Sequence, residues 1–251
     1  MIDPDATNGQ DDAASTLDLC PSFLAAHRIP SLPPSIYYIP SFLSQSEQSH
    51  ILSSLPPHRW TYLTHRRLQA HPSALSAAGT LLRCPLPTYL SDPIQSRFAA
   101  LGLFASSPHK AANHCLVNEY APGQGIMGHE DGPSYFPCTA TVSLGGSVVL
   151  DIWTKTESDE EPRRWRVYQE PGSLLVTTGE VYGSTLHGIA EVEVDEDLGS
   201  ETVANWELLG DRGAIEASGG RNVRTNRTSL TYRDVVKVSD AGSKILRFGR
   251  K

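Results

Sequence analysis

Two side chains two residues apart, His129 and Asp131 in the segment Gly-Ile-Met-Gly-His-Glu-Asp, are the first pair in this sequence that could do chemistry together. On an extended backbone, residues i and i+2 project to the same face, so one imidazole and one carboxylate can reach a single ion. A third ligand must come from elsewhere in the chain. His187, in Ser-Thr-Leu-His-Gly-Ile near the start of a late apolar run, completes a two-histidine, one-carboxylate set. Such a set suits Fe(II) and leaves positions on the ion open. Imidazole and carboxylate also suit zinc, so zinc-assisted hydrolysis is the chemical competitor. With nine histidines in the chain, the plain alternative is an accidental His-x-Asp whose histidine is only a satisfied polar residue of a strand. His65, His71, His109 and His114 are read as surface or locally hydrogen-bonded residues.

Arg227 and Arg233, in Arg-Thr-Ser-Leu-Thr-Tyr-Arg, are six residues apart on a β-rich run and share strand parity, so both face one side. An arginine turned into a β core is costly unless an anion partners it, and the planar guanidinium fits a carboxylate through two parallel hydrogen bonds. A dicarboxylic co-substrate would supply that partner. On a solvated strand face the same pair would need none.

Taken in order, Asn118-Glu-Tyr120, His129-Glu-Asp131, His187 and the pair Arg227 and Arg233 resemble the AlkB-like Fe(II)/2-oxoglutarate dioxygenases, over roughly residues 114 to 236. Within that family, NEYAPGQGIMGHEDGPSYFP followed by SLGGSVVLDIW is most similar to the sixth AlkB-homologue branch. The resemblance implies a double-stranded β-helix, or jelly-roll, with Fe(II) held by His129, Asp131 and His187 and with 2-oxoglutarate and O2 as co-substrates. It implies that Arg227 pairs with the distal carboxylate of 2-oxoglutarate, helped by the Tyr120 hydroxyl, while Asn118 and Arg233 hold the end nearer the metal. The family often carries Asn two residues after the first clamp arginine; this chain has Ser229, which alters one polar contact there. The implied reaction is oxidative decarboxylation of 2-oxoglutarate to succinate and carbon dioxide, coupled to hydroxylation of a C–H bond. On an N-methyl group the resulting hemiaminal collapses to formaldehyde and the bare nitrogen, so oxidative demethylation of alkylated nucleic acid is the expected function. The alternatives are the same chemistry on a protein or small molecule, and a nucleic-acid-binding protein with little turnover.

These residues need a scaffold to bring them together. From residue 114 the chain runs in short alternating stretches, CLVNEY, CTATVSL, SVVLDIW, RWRVYQ, SLLVTT, STLHGIAEV and RTSLTYRDVV, separated by Gly, Pro and charged turns. The expected fold class is mainly β with flanking helices, a sandwich or barrel. Upstream, Ser44-Gln-Ser-Glu47 reads as a capping box ahead of Ile51, Leu52 and Leu55 and predicts a helix over 44 to 55. A second helix is predicted near Ser91 and Pro93, where Ile94, Phe98, Leu101 and Phe104 recur at helical spacing. Residues 1–16 lack apolar periodicity and are expected to be a disordered tail. Residues 17–113 are expected to form a helical, substrate-lid extension, and 114–251 the jelly-roll core. Two stretches, 154–163 and 195–220, exceed hairpin length and are expected as surface excursions, the second mobile.

The resemblance places substrate recognition before residue 113. There the stretch 58–69 mixes aromatics with cations, making Trp60, Tyr62, Arg66, Arg67 and Gln69 the candidate substrate contacts, because rings stack on bases and arginines meet phosphates. The alternative is a hairpin that packs Trp60, Tyr62 and Leu63 into the core. Pro133, Tyr135 and Phe136, just past Asp131, would rim the opening. Composition limits the partners. The 251 residues, 39% of them hydrophobic, can bury one substantial core. A net charge of -7 and a pI near 5.7 exclude broad electrostatic capture of nucleic acid and leave local contacts with single-stranded or damaged strands. Cys20, Cys84, Cys115 and Cys138 have no Cys-x-x-Cys spacing and read as reduced thiols. The acidic, polar start and the lack of a long apolar run predict a soluble monomer of the nucleus and cytoplasm with no membrane partner.

Overall fold

The last long strand shows how sequence alternation sets the architecture. In Arg227–Arg233, residues 227, 229, 231 and 233 are Arg, Ser, Thr and Arg, while 228, 230 and 232 are Thr, Leu and Tyr. All seven residues are buried, so both faces are covered, one by apolar packing and the other by something polar. The computed structural model describes residues 19–156 and 161–240; the expected tail lies outside them.

The chain opens with helix α1 (Pro21–Ala26), strand β1 (Ile36–Ile39), helix α2 (Gln45–Ser54) and the hairpin of β2 (Thr61–Tyr62) and β3 (Arg67–His71). Strand β4 (Thr80–Leu82) and helices α3 (Thr88–Ser91) and α4 (Ile94–Ala100) follow. Next come β5 (His114–Tyr120), β6 (Ile126–His129), β7 (Cys138–Gly145), β8 (Val148–Thr154), β9 (Arg164–Gln169) and β10 (Leu174–Thr178). The remainder comprises α5 (Glu180–Ser184), β11 (Thr185–Ile189), β12 (Val194–Asp195), α6 (Arg212–Ala217), β13 (Asn222–Val223), β14 (Arg227–Arg233) and β15 (Lys237–Ser239). Helix α2 begins as its capping box requires: Ser44 Oγ accepts from the Glu47 amide at 3.3 Å, and the Glu47 carboxylate accepts from the Ser44 amide at 2.8 Å. Glu47 also pairs with Arg97 at 2.7 Å, which ties α2 to α4.

Two antiparallel sheets carry the fold. The larger has the order β1-β10-β7-β14-β5-β3-β2 and the smaller β6-β11-β8-β9. Leu230 and Tyr232 of β14 face outward with Val117 of β5 and Val142 of β7, onto Ile51, Ile94 and Phe98 of α2 and α4. Phe98 meets Tyr232 edge-on at 5.2 Å between ring centroids. Full burial of each such side chain contributes about 1.5–3 kcal/mol. A second apolar cluster, with Leu150 and Ile152 of β8, Ile189 of β11 and Leu175 of β10, fills much of the space between the sheets. The polar face of β14 looks into what remains. This is the mainly β jelly-roll architecture expected from the resemblance.

Two expectations need correction. Residues 17–113 are not a helical extension set apart from the jelly-roll, because β1 forms one edge of the large sheet and β3 with β2 the other, while α2 and α4 cover its outer face. The stretch 195–220 is not a mobile excursion either. Leu198, Val203, Trp206, Leu209 and Ile215 pack into the second apolar cluster, and Asp195 forms a buried ion pair with Arg224. Its acidic, glycine-containing sequence hid the recurring apolar positions.

Candidate active site

Strands β6 and β11 pair with His187 opposite His129, which places the two rings 4.4 Å apart between centroids. Such a close approach requires glycine beside each histidine. A Cβ on Gly128 would fall 2.1 Å from the Trp153 ring, and one on Gly188 would fall 2.9 Å from the Ile126 carbonyl oxygen. Asp131 follows β6 directly, and one ligand atom from each of His129, Asp131 and His187 lies within 4.8 Å of the others. The His129 Nδ1 sits 2.9 Å from the Met127 carbonyl oxygen. A carbonyl only accepts, so Nδ1 carries a proton and Nε2 is the nitrogen left to face a metal. Burial drives the His187 ring down to about 4 despite the pull of Asp131, which keeps it neutral at pH 7. Burial pushes the Asp131 carboxyl up, but the charge of Arg233 outweighs it, with help from Thr139, whose hydroxyl donates at 2.6 Å, and the group stays ionised. Two imidazoles and one carboxylate fit an Fe(II) ion with open positions.

Arg233 Nη2 donates to Asp131 Oδ1, so this second arginine of the strand braces a metal ligand. Arg227 has no such partner. It is 3% exposed, and its Nη2 donates to two neutral groups, Ser143 Oγ at 2.9 Å and Gln169 Oε1 at 3.0 Å. Its Nε has no hydrogen-bond partner among the described residues. Burial, partly offset by Tyr120, pulls its pKa down to about 10. A buried guanidinium with an unused N–H and only neutral acceptors is built to receive an anion from outside the protein. A dicarboxylate, with one end at Arg227 and the other toward the triad, fits that demand.

One cavity of about 280 Å³ joins the two ends, lined by the triad, Asn118, Tyr120, Arg227, Ser229 and Arg233, and by apolar residues including Leu150 and Ile152. All eight expected metal and co-substrate residues therefore converge. The expected substrate contacts divide. Arg66 and Tyr135 line the cavity, whereas Trp60, Tyr62, Arg67 and Gln69 do not. Strand parity explains the split: Arg67 and Gln69 stand opposite Glu119 and Val117 of β5, on the helix-covered side, and Tyr62 pairs with Arg67. Arg67 lies 4.4 Å over Trp60, which packs against the helix-side core, and forms an ion pair with Glu119 at 2.7 Å. Gln69 is buried, its amide nitrogen on the Pro56 carbonyl at 3.0 Å and its oxygen on His71. The alternative hairpin packing is also only partly met, since Tyr62 and Leu63 are 73% and 43% exposed.

Among the remaining histidines, His65 pairs with Glu191, His109 with Asp234, and the fully buried His71 with Gln69 and Arg59. His114 differs from the expectation: it is buried, and neither ring nitrogen has a hydrogen-bond partner among the described residues. Sequence reading missed Ser143, Gln169 and Thr139, which hold Arg227 and Asp131, and Tyr182, whose hydroxyl donates to the Gly132 carbonyl at 3.1 Å. Ser143 and Thr139 lie on β7, Gln169 at the end of β9 and Tyr182 in α5, so only the packing of distant elements brings them to the site.

The profile of the 2OG-Fe(II) oxygenase superfamily matches residues 84–233, a span that contains the metal set and both clamp arginines. The chain belongs to this superfamily. A zebrafish (Danio rerio) relative described as a probable RNA/DNA demethylase, ALKBH6, is 35% identical over 226 residues, covering 86% of this chain and 92% of the relative. The mouse (Mus musculus) protein named tRNA (carboxymethyluridine(34)-5-O)-methyltransferase ALKBH8 is 28% identical over 218 residues, where this chain spans only 31% of it. The solved structure of OsALKBH1 superimposes with a TM-score of 0.52 at 15% identity, covering 81% of this chain and 98% of that one, which shows the shared fold. As a 2OG-Fe(II) oxygenase the chain is an oxidoreductase. No helix among the described residues is long and apolar enough to cross a membrane.

Proposed function

We propose that this oxygenase removes N-methyl groups from alkylated, single-stranded nucleic acid, using Fe(II), 2-oxoglutarate and O2. The observation that carries the co-substrate assignment is Arg227, a buried cation without a carboxylate partner, at the opposite end of the cavity from a His-Asp-His set. The nucleic-acid part is supported by similarity to the zebrafish relative along nearly its whole length.

In this reading His129, Asp131 and His187 hold Fe(II), which supplies oxidative decarboxylation of 2-oxoglutarate coupled to C–H hydroxylation. Asp131 stays ionised because Arg233 and Thr139 hold both of its oxygens in place. Arg227, oriented by Ser143 and Gln169, binds the distal carboxylate, with Tyr120 opposite it in register. Asn118 and Ser229, facing each other across β5 and β14, offer polar contacts along the dicarboxylate. Leu150 and Ile152 keep water from the reacting end. Arg66 and Tyr135 line the same cavity. The hydroxylated methyl group then leaves as formaldehyde. Formaldehyde release from a panel of methylated single-stranded oligonucleotides, methylated peptides and free methylated nucleosides tests the assignment. Release confined to oligonucleotides supports it, and release only from peptides or free nucleosides overturns it.

A further inference from the structure

The hairpin 61–67 sends one side chain into the cavity. Arg66 lies next to β3 on the parity that faces inward, while its neighbour Arg67 faces the helices. Its Nε donates to Asn118 Oδ1 at 3.1 Å. This contact has a directional consequence. An Arg Nε–H can only donate, so the atom it meets must be the amide oxygen, and the NH2 group of Asn118 must point away from Arg66. Asn118 is buried on β5 opposite Ser229, in the wall of the cavity. The oxygens of a dicarboxylate only accept, so Asn118 is useful to them in the orientation that presents NH2 and useless in the flipped one.

We propose that Arg66 is a positioning residue, which locks the Asn118 amide as a hydrogen-bond donor toward the co-substrate. The inference rests on the 2-oxoglutarate part of the functional reading above and extends it to a residue outside the strand motifs. The hairpin is itself held on both sides. His65 meets Glu191, just past the end of β11 of the small sheet, at 2.9 Å, and Arg67 meets Glu119 of the large sheet at 2.7 Å. Arg66 is thus carried by a strap between the two sheets, and the co-substrate grip depends on that strap being in place. The charge of Arg66 also bears on Tyr120, as that of Arg227 does, which puts Arg66 at the arginine-rich end of the cavity.

The test is a double-mutant cycle on 2-oxoglutarate affinity, measured by calorimetry on the full chain loaded with Mn(II), so that no turnover is needed. Arg66→Ala is expected to weaken binding about ten-fold, the scale of one hydrogen bond involving a charged group. Asn118→Ala should weaken it at least as much, and the double variant no further than Asn118→Ala alone, because Arg66 acts through the amide. Arg66→Lys, which keeps the charge but places no N–H at the Nε position, should fail to restore affinity. Unaltered binding in Arg66→Ala, additive losses in the double variant, or full rescue by lysine would each overturn the inference. Thermal unfolding of each variant without co-substrate separates loss of the hairpin from loss of the contact. Failure of the unmodified protein to bind 2-oxoglutarate would instead bring down the co-substrate reading and this inference together.

Discussion

Replacing Arg227 with Met should remove co-substrate binding at little cost to the fold. The charged guanidinium is disfavoured where it sits: burial moves its pKa from 12.5 to about 10, which corresponds to a penalty of roughly 3 kcal/mol on the ionised form at neutral pH. Met occupies a similar volume and carries no charge. The groups it would abandon are not orphaned, because Ser143 Oγ still donates to Gln169 Oε1 at 3.0 Å; losing the arginine's own two charge-assisted hydrogen bonds gives back about 3 kcal/mol. Arg227→Met is therefore expected to be about as stable as the unmodified protein, within about 2 kcal/mol, in the absence of 2-oxoglutarate. For a chain of this size that keeps any shift in Tm within roughly 4–8 °C. The second half of the prediction is the loss of linkage. A hundred-fold excess of 2-oxoglutarate over its Kd should stabilise the Mn(II)-loaded unmodified protein by about 2.7 kcal/mol and leave the variant unmoved. Differential scanning calorimetry with and without the co-substrate reads both. A variant that loses more than about 2 kcal/mol in the absence of 2-oxoglutarate would show that Arg227 is a structural residue of the sheet and would refute the reasoning.

Three further outcomes follow from other contacts. His129→Ala and Asp131→Ala should both abolish Fe(II)-dependent succinate release but differ in stability: His129 bonds only to a nearby carbonyl, whereas losing Asp131 leaves Arg233 buried without its ion pair, a cost of about 3–5 kcal/mol. Equal stability of the two by urea unfolding would contradict the bracing role of Arg233. Trp206→Ala should cost about 3–5 kcal/mol in the same assay, because this residue of the 195–220 stretch is packed in the core between the sheets; a change below about 1 kcal/mol would restore the picture of a loose surface loop. Finally, stability should fall on acidification. His71 accepts from Arg59 and donates to Gln69 as a neutral ring, and burial, then the charge of Arg59, hold it down at about 4. The unfolded chain binds that proton near 6.5, so this contribution is complete above about pH 6.5 and is lost as the pH falls toward 4, up to roughly 3 kcal/mol. His71→Gln should flatten the profile between pH 7 and 5, and an unchanged slope would assign the effect elsewhere.

The metal and clamp residues were legible because each sits in a short motif whose parity can be counted: His-x-Asp on a strand end, and two arginines six apart on β14. The capping box of α2 was legible for a similar reason, since its partners are three residues apart. What could not be read was contact between distant strands. Ser143 and Gln169 reach Arg227 only because β7 lies beside β14 and β9 ends near them. The stretch 58–69 shows the opposite failure. Its mixture of rings and cations suggested a single binding surface, but alternation sends Arg66 inward and Arg67 and Gln69 outward, and the sequence does not say on which residue that alternation starts. The stretch 195–220 is hard to read because its apolar positions lack a helical or strand period, although together they pack into the second apolar cluster.

Succinate release tests the central claim most directly: protein loaded anaerobically with Fe(II), supplied with 2-oxoglutarate and then O2, with and without a methylated single-stranded oligonucleotide. The account predicts succinate only when metal and co-substrate are both present, stimulated by the oligonucleotide and matched by formaldehyde. No succinate from protein shown to hold iron would contradict the assignment of this cavity.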